Sequence, residues 1–140
     1  MRRLSGGVAL VLTLALGSAG CDNNIDLPTT PNTPVDTVTE SFAGSITPNG
    51  AVSYFFASTA AGGMTATILT LTPDSSVILG LSIGTWNGFS CQSVISNERA
   101  TQGTTVSGNV SGAGTLCVRI FDSGGAMPAS SKFEIVVVHP

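Results

Sequence analysis

The chain has 140 residues, enough for one domain, and only 9% of them are charged, against roughly 25% in an average globular protein. The hydrophobic fraction of 42% supplies a core and excludes disorder along the whole chain. Beyond residue 20, three basic residues remain against eight acidic ones, which excludes the basic stripe that a nucleic-acid-binding protein needs.

Residues 1–20 have the pattern of a signal peptide. Arg2 and Arg3 precede an uncharged apolar stretch over residues 8–16, which is shorter than the ~20 residues of a membrane-spanning helix. The small residues 18–20 then lead into Cys21 and resemble a lipobox, although Ser18 stands where the commonest motif has Leu. We therefore expect a lipid anchor on Cys21 and a place in the cell envelope, on its periplasmic or extracellular face. The alternative is an ordinary secretory peptide that is cleaved nearby.

Residues 21–40 are predicted to form a flexible tether. Pro28, Pro31 and Pro34 stand among Thr, Asn and Asp residues, and proline at this density favours an extended, polyproline-like chain. The acids of this stretch are interpreted as solvated linker charges rather than as calcium ligands.

From about Val38, apolar and polar residues alternate with the period of two that marks half-buried strands. Turn-forming residues such as Asn49-Gly50 separate the runs. The predicted strands are residues 38–42, 52–56, 64–71, 77–83, 91–96, 104–110, 116–122 and 132–139. This spacing predicts an all-β fold: one jelly-roll-like β-sandwich of about eight strands over residues 41–140.

Cys91 and Cys117 are the two cysteines that remain besides Cys21, and an even pair in an exported domain predicts a disulfide. No histidine or third cysteine accompanies them at the spacing of a metal site.

Several short stretches in the predicted domain resemble the bacterial pre-peptidase C-terminal domain. They are residues 54–56 (YFF), 61–63 (AGG), 114–120 (GTLCVRI) and 133–137 (FEIVV), and the similarity spans roughly Ser41 to Pro140. The resemblance implies a non-catalytic, jelly-roll-like sandwich of a kind usually appended to secreted peptidases. Some members bind polysaccharide or fibrous substrates and some bind calcium through clustered acids, a pattern reduced here to Asp74.

No catalytic motif is found, and we predict that the chain is neither an enzyme nor the carrier of a cofactor. The only histidine, His139, adjoins Pro140, where we expect fraying. The carboxylates that a glycosidase would need are Asp74, Glu98, Asp122 and Glu134, and each is interpreted as a solvated charge.

Trp86, Asn87 and Phe89 lie in a predicted loop over residues 84–90 and are the candidate ligand-binding residues. Exposed aromatic rings beside amides are suited to stacking on sugars, and loops usually carry recognition. The alternative is that Trp86 caps the open end of the core. The predicted function is a membrane-anchored binding or adhesion module for a polysaccharide or protein ligand. The alternative function is a structural or accessory envelope protein acting through protein contacts.

Overall fold

A computed structural model describes residues 34–140. The predicted signal peptide, Cys21 and most of the predicted tether lie outside this range. Eight strands and no helix are found within it, which confirms the predicted all-β class. Residues 34–140 accordingly contain no apolar helix that could cross a membrane. The strands are β1 (Val38–Ile46), β2 (Ala51–Ser58), β3 (Gly62–Thr72), β4 (Leu79–Trp86), β5 (Cys91–Ala100), β6 (Thr105–Val110), β7 (Gly114–Phe121) and β8 (Ser131–His139).

The strands form two antiparallel sheets that pack face to face. The first sheet has the order β1-β8-β3-β6 and the second has the order β2-β7-β4-β5, which is the arrangement of an eight-stranded jelly roll. Strand β1 pairs with β8 from Val38 onward. The sandwich therefore takes in residues 38–40, three residues before the predicted boundary at residue 41.

The core lies between the sheets and is formed by alternate residues of their strands. In β8, for example, Phe133, Ile135 and Val137 are buried while the residues between them are partly exposed. Full burial of each such side chain stabilises the fold by ~1.5–3 kcal/mol relative to its exposure. The buried apolar cluster draws on both sheets, so each sheet has one inner face and one outer face.

The fourth strand differs from its prediction. It begins at Leu79 rather than Val77 and continues through Trp86, which pairs with Cys91 of β5. The predicted loop over residues 84–90 is therefore wrong at its start, and the connecting turn consists only of residues 87–90. The ladder continues because Gly84 and Thr85 pair with Ser93 and Gln92 across the hairpin.

The predicted disulfide between Cys91 and Cys117 is present, with the two Cα atoms 5.6 Å apart. It links β5 to β7, although β4 lies between these strands in the sheet. Gly84 of β4 permits the close approach, because a Cβ atom at this position would lie only 1.9 Å from the carbonyl oxygen of Gln92. The backbone of β5 thus lies close against Gly84 of β4, and Cys91 reaches its cysteine partner on β7.

The expectation that His139 frays is wrong. This side chain is 1% exposed, and its Nε2 lies 3.0 Å from Glu40 Oε1 while its ring packs on Phe56. The carbonyl oxygen of Pro140 accepts hydrogen bonds from the Ser58 hydroxyl and from the backbone N–H of residue 59. These contacts with β1 and β2 hold the end of β8 in place.

Candidate functional site

The outer face of the second sheet carries two aromatic rings in contact. Phe55 lies between Tyr54 and Phe56 in β2, and because these neighbours turn toward the core, its ring points outward. It is 61% exposed and stacks on Trp86, with the ring centroids 5.3 Å apart and the planes 23° from parallel. Trp86 is itself half-buried.

The turn after Trp86 presents a third ring. The side-chain oxygen of Asn87 accepts hydrogen bonds from the backbone N–H groups of Phe89 (3.0 Å) and Ser90 (2.9 Å). Gly88 has a φ of +96°, a conformation that glycine adopts without the steric cost of a side chain. Phe89 is consequently held on a closed turn with 94% of its surface exposed. We call Phe55, Trp86 and Phe89 together the aromatic patch.

A shallow depression of about 460 Å³ lies beside the aromatic patch. Trp86 and Phe89 form part of its wall together with Arg119 and Gln92, and Ser53 also lines it. The amide of Gln92 donates a hydrogen bond to the Ser90 hydroxyl at 2.8 Å. The depression therefore combines ring faces with an amide, hydroxyl groups and a guanidinium group, a mixture suited to a ligand that has both apolar and polar edges.

The guanidinium group of Arg119 lies over the ring of Phe121, 5.2 Å from its centroid. Both residues belong to β7 and point away from the core, because Leu116, Val118 and Ile120 point into it. A cation over a ring face at this distance is held by electrostatic attraction, which limits the positions that the guanidinium group adopts.

Two of the predicted ligand-binding residues, Trp86 and Phe89, line the same depression, while the Asn87 side chain serves the turn. Within residues 34–140, Trp86 is neither part of the buried core cluster nor among the partly buried residues packed against it. The alternative that Trp86 caps the open end of the core stays a prediction. Sequence reasoning missed Phe55 and Arg119. Each lies between two inward-facing apolar residues of its strand. This position was the sequence feature that could have indicated an outward-facing side chain.

The four carboxylates considered for catalysis lie on separate elements. Asp74 accepts hydrogen bonds from the hydroxyl (2.6 Å) and the backbone N–H (2.8 Å) of Ser76, and these bonds hold the pKa of its carboxyl below the usual value. Asp122 accepts a hydrogen bond from the N–H of Asn49, and Glu134 accepts one from a hydroxyl of β1. Glu98 lies exposed on β5.

Within residues 34–140, no three His, Cys, Asp or Glu side chains come close enough to hold a metal ion.

A second cavity, of about 270 Å³, opens between the sheets where β5 faces β6. Met64, Ile83 and Leu116 line it, together with the glycine-rich connection between β6 and β7, and no charged side chain contributes. We place the candidate site at the aromatic patch instead, because its depression combines aromatic rings with a charged group, that of Arg119, which would orient a ligand.

Comparison with known proteins gives no assignment: no protein-family model matches the chain, and no curated protein matches it.

Proposed function

We propose that this protein is a lipid-anchored, non-catalytic binding module of the cell envelope and that its aromatic patch contacts a polysaccharide. The observation that carries the proposal is the contrast between two sets of aromatic side chains. Phe56 and Phe133 are buried between the sheets, whereas Phe55 and Phe89 are largely open to solvent beside Trp86.

The chemistry of the patch supports a sugar as the ligand. Pyranose rings have apolar C–H faces that pack against aromatic rings, and hydroxyl edges that hydrogen-bond to amides and serines. Trp86 and Phe55 are already stacked, and the turn that carries Phe89 is closed by Asn87. The stacked Trp86 and Phe55 rings therefore lose little conformational freedom when a sugar binds, which favours affinity.

The predicted anchor complements a weak individual site. A few exposed ring contacts give modest affinity, and many anchored copies facing one polymer raise the overall binding strength through avidity. On this account Cys21 supplies attachment and the sandwich supplies recognition.

Co-sedimentation of the purified protein with insoluble cell-wall polysaccharide tests the proposal. Phe89→Ala should reduce the bound fraction severalfold and leave the melting temperature unchanged, because the Phe89 side chain is almost fully exposed. Leu69→Ala is the matched control, since Leu69 is a half-exposed apolar residue of β3 in the other sheet. Equal loss of binding in both variants would contradict a specific site. Retention of the protein by an envelope protein, with no binding to polysaccharide, would favour the structural role instead.

A further inference from the structure

We infer that the polysaccharide is acidic and that Arg119 contacts its carboxylate groups. This inference rests on the proposed function and narrows the class of ligand. A uronic acid unit carries an apolar C–H face and a carboxylate on one ring, and the depression places Trp86, Phe89 and Arg119 around one space. An arginine fork matches a carboxylate with two parallel hydrogen bonds.

Arg119 is distinguished by the lack of other charges on three of the four strands of the second sheet. Strands β2, β4 and β7 together contain one charged residue, and it is this arginine. Its partners in the ladders are Ser53 on one side and Ser82 on the other. No acid among residues 34–140 lies at ion-pair distance from the guanidinium group of Arg119.

Phe121 sets the orientation of this charge. The guanidinium group packs over the Phe121 ring, while the Phe121 ring occupies the space above Gly80, where a Cβ atom would lie 2.2 Å from it. The absence of a side chain at Gly80 therefore makes room for the Phe121 ring, and the Arg119 guanidinium group packs on that ring next to the depression.

The net charge of the domain would not give it a preference for acidic polysaccharides. Residues 34–140 carry three basic and six acidic side chains, so the domain as a whole repels a polyanion. A preference for acidic sugars must come from a local feature, and Arg119 is the cation that lines the depression at the aromatic patch. Arg99 lies on β5 near the opposite end of the hairpin from Trp86 and serves as an internal control.

Polygalacturonate and its fully methyl-esterified form are the probes, because they share one backbone and differ in carboxylate charge. The full-length protein in detergent micelles should bind the acidic polymer about tenfold more tightly than the ester, the lower end of what a charge-assisted hydrogen-bonded contact provides. This preference should shrink as NaCl is raised. Arg119→Gln should reduce the ratio to near one, Arg119→Lys should keep part of it, and Arg99→Gln should leave it unchanged.

Melting temperatures of all variants establish that each one is folded. The inference is overturned if the wild type binds both polymers equally or binds neither, or if folded Arg119→Gln keeps the preference. If the wild type binds both polymers equally and Phe89→Ala binds neither, the proposed function stands and only the role of Arg119 is removed. If the wild type prefers the acidic polymer and both Phe89→Ala and Trp86→Ala bind it as the wild type does, the aromatic patch is not the binding site.

Discussion

Trp86 and Phe55 stack although their strands are not neighbours in the sheet. Strand β7 lies between β2 and β4, and its residue Cys117 is the ladder partner of Phe55. The two rings therefore meet above β7, their centroids 5.3 Å apart. Their contact, together with the disulfide to Cys91, accounts for the complete burial of Cys117 at an outward-facing position.

Trp86→Ala should destabilise the protein only modestly. The ring lies outside the core, and the loss of one stacked aromatic pair corresponds to ~0.5–1.5 kcal/mol beyond the lost area. Phe133→Ala is the comparison, since that ring is 2% exposed and core truncations of this size cost ~3–5 kcal/mol. Thermal unfolding of both variants checks the difference. If Trp86→Ala lowers the free energy of unfolding as much as Phe133→Ala does, the Trp86 ring has a structural role.

The Cys91–Cys117 bridge should contribute substantially to stability. The crosslink closes a segment with a sequence separation of 26, for which loop entropy predicts ~3–4 kcal/mol. Replacing both cysteines with serine should lower the free energy of unfolding by up to this amount in denaturant titrations. Mass spectrometry of the unreduced wild type should find no thiol at either position. Two alkylatable thiols in freshly purified protein would disprove the bridge.

Gly84→Ala should disturb the hairpin of β4 and β5. The added methyl group would meet the carbonyl oxygen of Gln92 at 1.9 Å, and this atom belongs to the backbone and cannot rotate away. We expect a loss of ~1–3 kcal/mol, the usual cost of overpacking, together with weaker polysaccharide binding because the turn carrying Phe89 follows β4. Gly63→Ala is the matched control, because nothing lies within 4 Å of a Cβ atom there. Equal stability of the two variants would contradict the close approach of the β5 backbone to Gly84.

Cys21→Ser should move the protein from the membrane fraction to the soluble fraction. The small residues 18–20 before Cys21 motivate this expectation, and acyl chains hold a protein on a bilayer by ~0.8 kcal/mol per buried CH₂ group. Fractionation of cells that express each form checks the result. A serine variant that still sediments with membranes would rule out Cys21 as the anchor.

The eight strands could be predicted because their signal is local. In β8, for instance, Phe133 and Ile135 alternate with the charged residues Lys132 and Glu134, and this alternation marks the inner face without knowledge of any partner strand. The disulfide was also predictable, since only two cysteines remain besides Cys21, the predicted site of lipidation.

The composition of the site could not be predicted, because it depends on which strands become neighbours. Gly84 and Gly88 both suggest a loop around Trp86, yet the pairing of Trp86 with Cys91 extends β4 through it. The contact between Phe55 and Trp86 follows from the order β2-β7-β4, which no local pattern specifies. His139 was misjudged for the same reason: Glu40 and Phe56, which hold it in place, are distant in the sequence.

Intrinsic fluorescence tests the central claim most directly, because Trp86 is the only tryptophan of the chain and lies within the proposed site. Titration of the folded protein with soluble cell-wall polysaccharide, including acidic polymers, should give a saturable change in emission as a sugar ring covers the indole. Phe89→Ala should shift the midpoint to higher polymer concentration, while Leu69→Ala should not. Emission that stays constant while independent co-sedimentation shows polymer bound would contradict the account, because the ligand would then bind away from the aromatic patch.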